Sequence, residues 1–314
     1  MKISRLEFLR STSLFSLGMF SNACLGGVLG SAATHESRAA SLNHKRRVFA
    51  DLHAHPLLDD WIERSPLAVK FPAIAKLVAN LINTTGVEFE SAYKAGIDLI
   101  CVAHFNLFDE WLSMPTDPNP EAPANTLRMM DLLEAEIAGK VRPYAKMVCN
   151  GKQLSEALSH RHGQSKFRTA VIHTLEGGHA LGGDLRALNE FARRGVASIT
   201  VTHFFNKGIG SAANSFPFFR DSGSRWPYQG LSEFGEEVIK KMETLGIIVD
   251  IAHATAATVN NVLRICKKPL AATHVSARTL GDRAYSLYDE HIQQISNDGG
   301  IIGIILMPYW LSNY

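Results

Sequence analysis

The sequence has little net charge and no concentration of one charge sign. Its 314 residues hold 32 Lys and Arg against 30 Asp and Glu, so the formal net charge at pH 7 is +2. This balance, without any basic run, disfavours nucleic acid and anionic membrane surfaces as partners. Heptads, internal repeats and low-complexity tracts are also absent. With 46% hydrophobic residues, the composition predicts an ordinary globular chain.

Cysteine is scarce as well. One of the four cysteines, Cys24, falls within the first 33 residues, where its lipidation stays an open alternative. The other three, Cys101, Cys149 and Cys266, are odd in number and far apart. This spacing excludes a disulfide framework and a CxxC zinc site. Cys101 and Cys266 stand among apolar residues, which predicts buried thiols.

Charge is also missing from a segment near the start of the sequence. Three basic side chains occur in the first ten residues, residues 11–33 carry no charge, and Ser31-Ala32-Ala33 supplies small residues for cleavage. The pattern predicts an export signal over residues 1–33 and a linker over 34–47, hence a periplasmic or cell-envelope protein of a bacterium. The basic part resembles a twin-arginine signal, but Leu6 stands where such a signal has its second arginine. A retained membrane anchor is the less favoured alternative because the segment is only weakly hydrophobic.

Seven short apolar runs alternate with helical patterns along the rest of the chain. The runs cover residues 48–55, 97–105, 169–176, 197–204, 247–253, 269–274 and 300–309. Their continuous apolarity is typical of strands that are covered on both faces. The alternation predicts an α/β fold with a parallel sheet, either doubly wound or closed as a barrel. No glycine-rich loop follows the first run, which disfavours a dinucleotide-binding fold.

Side chains that bind metals stand at the ends of these runs. They are His53 and His55 in the first run, Glu176 in the third, His203 in the fourth, His253 in the fifth and His274 in the sixth. Residues two apart on a strand face the same side, and barrel strands converge at their carboxyl ends. Imidazole and carboxylate ligands suit Zn²⁺, and a glutamate can bridge two metals. A single histidine at the end of a strand is usually structural. Five residues of ligand type at the ends of several strands nevertheless predict a zinc site, formed by His53, His55, Glu176, His253 and His274.

Other polar residues near these positions have less specific interpretations. Asp51 either orients one of the first two histidines or is a buried structural carboxylate. His104 either lines the pocket or belongs to the core. His173 and His179 are predicted to be structural, since one lies inside a run and the other in the turn after Glu176.

Five stretches of the chain resemble the membrane (renal) dipeptidase family of zinc metallopeptidases. They are Leu175-Glu176-Gly177-Gly178-His179, Thr200-Val201-Thr202-His203 with Asn206, Gly230-Leu231-Ser232-Glu233-Phe234-Gly235, Val249-Asp250-Ile251-Ala252-His253 and Thr273-His274-Val275-Ser276-Ala277. The resemblance begins near residue 48, which places a dipeptidase-like barrel over residues 48–314. It implies a (β/α)₈ TIM barrel of the metal-dependent hydrolase type and hydrolysis of small peptides.

The resemblance also implies roles for particular residues. Two zinc ions per chain would be bridged by Glu176 and a hydroxide, with His53 and His55 on one ion and His253 and His274 on the other. Glu176 and His203 would be catalytic, and the bridging hydroxide would attack the dipeptide. His203 would bind the substrate carbonyl as the tetrahedral intermediate forms. Arg283 is the nearest match to the arginine that binds the substrate carboxylate in the family.

Two departures from the family pattern leave alternatives open. His55 stands where the family usually has aspartate, as in the wider amidohydrolase superfamily, which keeps lactone or N-acyl amino acid hydrolysis as an alternative. The family's eighth strand carries an aspartate that handles the proton, and no such motif follows residue 309. We therefore expect a barrel that is incomplete at its carboxyl end, so activity of this chain is in doubt and an inactive metal-binding remnant is a further alternative. Association into a homo-oligomer also stays open.

Overall fold

A computed structural model describes residues 48–64, 71–73, 76, 88–106, 109–110, 118–160, 162–206, 208–213, 230–284 and 286–306. The predicted export signal and linker, residues 1–47, lie outside the described residues and stay predictions. So does the proposed extent of the barrel to residue 314.

Within the described residues, eight strands form one parallel sheet. They are β1 Ala50–Ala54, β2 Leu99–His104, β3 Ala145–Met147, β4 Thr169–Glu176, β5 Val196–Thr200, β6 Ile248–Asp250, β7 Ala271–Val275 and β8 Ile301–Ile304. Seven of them follow one another in the order β1-β2-β4-β5-β6-β7-β8, and these are the seven strands that the sequence predicts. The additional strand, β3, pairs with the first three residues of β4, from Ala145 opposite Thr169 to Met147 opposite Val171.

Helices connect most of the strands. They are α1 Leu58–Arg64, α2 Phe89–Ala95, α3 Ala122–Ala138, α4 Gly151–Ser159, α5 Ala187–Arg193, α6 Glu233–Leu245, α7 Ala256–Ile265 and α8 Asp289–Asn297. Their ends follow from local chemistry. The Ser232 hydroxyl accepts a hydrogen bond from Gly235 N at the start of α6, and the Thr255 hydroxyl accepts one from Thr258 N at the start of α7. Gly246 ends α6 in the left-handed conformation that glycine adopts without strain.

The strand path curls into a nearly closed barrel with one open seam. No backbone ladder joins β1 to β8 among the described residues, yet the two edges lie close together. The imidazole rings of His53 in β1 and His274 in β7 stack with their centroids 3.6 Å apart. A Cβ placed on Gly303 of β8 would stand 3.1 Å from Leu52 Cδ1 of β1. The predicted barrel is therefore confirmed, and it has an unsealed seam.

The largest apolar core lies between the sheet and the helices on its outer face. Phe191 of α5, Ile239 and Met242 of α6 and Val262 of α7 are all fully buried in it. The buried polar side chains at the strand ends lie inside the barrel.

Candidate metal centre

One buried carboxylate lies in the middle of five imidazoles. The distances from imidazole Nε2 to Glu176 Oε1 are 3.2 Å for His53, 3.2 Å for His253, 3.3 Å for His203 and 3.5 Å for His274, and His55 Nε2 lies 3.3 Å from Oε2. The structure thus brings together all five residues predicted to bind metal, and His203 with them. The side chain of Glu176 is only 4% exposed, so this group of donors is shielded from bulk water.

The backbone takes sharp turns where these ligands leave the strands. Directly after Glu176, Gly177 has φ of 98°, and a Cβ there would stand 2.3 Å from His179 Nδ1. His253, just beyond β6, has φ of 63° and is the only residue other than glycine with positive φ in the part of the chain that the structure describes. Such a conformation costs about 1–3 kcal/mol and is typical of functional sites.

Hydrogen bonds at Nδ1 decide which ring nitrogen carries the proton and which carries the lone pair that a metal needs. His55 Nδ1 lies 2.8 Å from the carbonyl oxygen of Ala103, which can only accept, so Nδ1 carries the proton. His274 Nδ1 lies 2.8 Å from the hydroxyl oxygen of Thr273, and that hydroxyl donates to Asp250 Oδ2 at 2.7 Å. His274 Nδ1 must therefore donate to Thr273. When either ring is neutral, its Nε2 lone pair faces Glu176, as in metal-binding histidines.

The Nε2 atoms also lie close to one another, which suits a cation between them. His53 Nε2 is 3.0 Å from His55 Nε2, and His253 Nε2 is 2.8 Å from His274 Nε2. Two groups have donor atoms that all lie within 4.8 Å of one another: His53, Glu176 and His274, and Glu176, His203 and His253. Both groups share Glu176, as a bridging ligand requires. These nitrogen and carboxylate donors fit zinc, and the division of the histidines between two ions stays a prediction.

Burial and charge set the protonation of the centre. Three imidazoles of the centre have a pKa of about 4, those of His53, His203 and His253. Burial is the main cause in each case. The neighbouring His274 further lowers the pKa of His53, and His203 further lowers the pKa of His253. Burial acts to raise the pKa of Glu176, but the surrounding imidazoles outweigh it, and this pKa lies well below the usual range. Burial likewise opposes protonation of His55, but Glu176 outweighs it and raises that pKa. At neutral pH, His53, His203 and His253 are therefore neutral, the form that binds metals.

A second carboxylate, Glu110, contacts His203 from the other side of the ring. Glu110 Oε2 lies 2.6 Å from His203 Nδ1, and Oε1 accepts hydrogen bonds from Phe204 N at 2.8 Å and Phe205 N at 3.1 Å. Burial raises the pKa of Glu110. The sequence does not single out Glu110, because this residue lies 93 positions from His203 and ends no predicted strand.

The remaining candidates are placed as follows. Asp51 Oδ1 accepts a hydrogen bond from His53 N at 3.0 Å, so it fixes the backbone of β1 at that ligand. His104 Nε2 lies 2.8 Å from His173 Nδ1, and both imidazoles are buried. Arg283 lies in the turn after β7 with its side chain partly buried, and its binding of a substrate carboxylate stays a prediction.

Comparisons with known proteins agree on one family. The family model for membrane dipeptidase (peptidase family M19) matches residues 109–313. Dipeptidase 3 from Mus musculus is 29% identical over 141 residues, which cover 44% of this chain and 27% of that protein. An uncharacterized dipeptidase from Schizosaccharomyces pombe is 29% identical over 137 residues, covering 44% of this chain and 32% of that protein. The matched region thus spans about a third of these relatives or less.

Solved structures show the same fold. A metallopeptidase of family M19 named dipeptidase AC superposes with a TM-score of 0.64 at 23% identity, over 84% of this chain and 73% of that one. A metallopeptidase from Rhodobacter sphaeroides, liganded with a phosphinate mimic of the dipeptide L-Ala-D-Ala, gives 0.62 at 21% identity, over 84% and 75%. At this identity the structures support the barrel, while the family model covers most of the chain. The chain therefore belongs to the membrane dipeptidase family, peptidase family M19.

Proposed function

We propose that this protein is a metal-dependent hydrolase of dipeptides, with two zinc ions held by His53, His55, Glu176, His253 and His274. The observation that carries the proposal is the single carboxylate of Glu176 within 3.5 Å of five imidazole Nε2 atoms. Family membership adds to it, since a relative of this fold binds a dipeptide mimic.

The metals and the side chains of the centre would have different roles in the reaction. Zinc held by these residues would supply an activated water as the nucleophile for the scissile carbonyl. The chain supplies the geometry. His203 presents Nε2 to the same carboxylate, and when protonated it can donate to the carbonyl oxygen as negative charge develops there. The rings of Phe105 and Phe204 flank His203 at centroid distances of 4.5 and 3.6 Å, and they exclude water from it.

A small apolar pocket opens beside the centre, next to His55. Leu57, Leu58 and Trp61 line one side of it, and Met129 lines another. Leu57 follows β1, and Leu58 and Trp61 belong to α1, so the pocket adjoins the strand that holds His53 and His55. About 20 Å³ of it admits a water-sized molecule, which is too little space for a substrate side chain.

The test measures metal content and turnover of the full chain. Zinc-loaded protein should hold up to two zinc ions per chain by elemental analysis and should hydrolyse members of a panel of L,L and L,D dipeptides. Chelation should abolish turnover, and added zinc should restore it. Glu176→Gln should lose most of both ions, because the amide carries no charge and offers only one oxygen to share between metals. Glu121→Gln, an exposed glutamate at the start of α3, is the matched control and should keep both properties.

Two outcomes would count against the proposal. Well-folded protein that holds no zinc would show that these residues do not form a zinc site. Zinc-loaded protein that cleaves no dipeptide but does hydrolyse a lactone or an N-acyl amino acid would replace dipeptidase activity with the second candidate. One observation favours that second candidate. His55 supplies an imidazole at a position where the family usually has a carboxylate.

We further propose that the chain is exported to the bacterial periplasm or cell envelope. The support is the pattern of residues 1–33. Within the described residues, no helix is long and apolar enough to cross a membrane. N-terminal sequencing should find a mature chain that begins near Thr34. Cytoplasmic protein that begins at Met1 would contradict export.

A further inference from the structure

The carboxylate of Glu110 is the most completely enclosed acid near the metal centre. Its side chain is 0% exposed, and the three donors that contact it come from one short segment, His203 to Phe205. Oε1 accepts two backbone N–H groups, so Oε2 alone faces the His203 ring. The carboxylate therefore has one fixed orientation relative to the imidazole.

The residue next to Glu110 is anchored independently. The buried carboxylate of Asp109 accepts hydrogen bonds from the Asn125 amide at 3.0 and 3.1 Å, and Asn119 also donates to it. Asn125 lies in α3, so this contact fixes the backbone at Glu110 to a helix of the scaffold. The anchor does not involve His203, which makes it possible to separate the fold of this segment from the action of Glu110.

We propose that Glu110 is a positioning residue for the reaction, acting by holding the His203 proton on Nδ1 and so turning a bare Nε2 toward Glu176. This rests on the proposed function. In its ionised form the Glu110 carboxylate can only accept, so its 2.6 Å contact with His203 Nδ1 obliges that nitrogen to donate. The neutral ring then has its lone pair on Nε2, which lies 3.3 Å from Glu176 Oε1 on the side where substrate would react.

An isosteric change separates this role from packing. In Glu110→Gln, the amide oxygen can still accept from Phe204 N and Phe205 N, so the amide NH₂ must face His203 Nδ1. Two donors cannot face each other, so the proton of the neutral ring should move to Nε2. The fold keeps its shape while the imidazole reverses its tautomer. Glu110→Asp keeps a carboxylate and should keep the original tautomer.

The experiment reads the proton positions directly. The full chain is labelled with ¹⁵N-histidine, zinc is added at pH 8, and the His203 ring nitrogens are assigned from the signals lost in His203→Asn. We expect Nδ1 protonated and Nε2 bare in the wild type and in Glu110→Asp, and the reverse in Glu110→Gln. Dipeptide turnover by Glu110→Gln should fall by about 10–100-fold, mainly in kcat, as is typical when a group that orients a catalytic imidazole is removed.

Several results would overturn the proposal. One is a wild-type His203 with its proton on Nε2, and another is a Glu110→Gln spectrum in which the His203 nitrogens do not change. A third uses Asp109→Asn, which loosens the same segment and leaves Glu110 in place. If it changes the His203 nitrogens as much as Glu110→Gln does, the carboxylate itself is not responsible. The nitrogen signals do not depend on turnover, so an inactive wild type would count against dipeptidase activity and leave this test intact.

Discussion

Acidification from pH 7 toward pH 4 should destabilise the metal-free protein through its buried imidazoles. His53, His203 and His253 have pKa values of about 4 in the folded chain, whereas a histidine in an unfolded chain has the ordinary value of 6.5. Between these limits the unfolded chain binds protons that the folded chain does not. The stability linked to each imidazole is therefore fully present above pH 6.5 and is lost as the pH falls toward 4.

The size of the effect follows from the same pKa values. A fall from 6.5 to about 4 corresponds to about 3 kcal/mol per imidazole, of which about 2 kcal/mol is lost by pH 5. The imidazoles lower one another's pKa, so their contributions overlap and the combined loss is smaller than three times that of one imidazole. His55 opposes part of the loss because its pKa is raised. We expect a net loss of several kcal/mol between pH 7 and pH 5.

The assay is urea unfolding of the full chain in the presence of chelator, followed by circular dichroism at pH values from 8 to 5. His203→Asn removes one of the three imidazoles and should make the free energy of unfolding less dependent on pH, by up to about 1.4 kcal/mol per pH unit. His160→Gln, at the end of α4, is the matched control and should keep the wild-type slope. A free energy of unfolding that stays constant from pH 7 to pH 5 would refute this account of the centre. So would equal slopes in the two variants.

Two further substitutions test the backbone around the centre. His253→Asn should leave the metal-free protein more stable than His253→Ala, because both lose the imidazole and asparagine tolerates the left-handed conformation better; urea unfolding in chelator measures this, and equal stability of the two variants would contradict it. Gly235→Ala should destabilise the protein by about 1–3 kcal/mol, since its Cβ would stand 2.0 Å from the backbone oxygen of Ile209. Gly151→Ala, whose Cβ would meet nothing within 4 Å, should be neutral or slightly stabilising, and equal melting temperatures for the two alanine variants would refute the argument.

The strands and the metal ligands could be predicted because each has a local signature. The seven strands of the barrel path are continuous apolar runs, and the ligands stand where those runs end. β3 was missed because it has three residues, with Lys146 in the middle, and such a segment shows no period. The pairing of β3 with β4 is a tertiary contact that local pattern does not encode.

Other parts of the site depend on contacts between distant segments. Nothing in the sequence around Glu110 indicates that its carboxylate meets His203. The bond between His104 and His173 joins neighbouring strands whose register is set by the whole sheet, from Leu99 opposite Ala170 to His104 opposite Leu175. The positive φ of His253 is equally invisible beforehand, because histidine rarely adopts it. The residue types of the site could thus be read from the sequence, but the hydrogen bonds that orient them could not.

The open seam leaves β1 less firmly held in the sheet than the interior strands. β1 has one hydrogen-bonded neighbour, β2, among the described residues, so it has fewer backbone bonds to break than an interior strand when the sheet opens locally. The same strand supplies His53 and His55, and His53 stacks on His274 across the seam. A metal bound by these residues would fasten β1 to β4 and β7 from inside the barrel, in place of the missing ladder. β1 would then detach locally only when the metal is released. The rate at which the metal dissociates would therefore limit how slowly the backbone amides of β1 exchange with solvent.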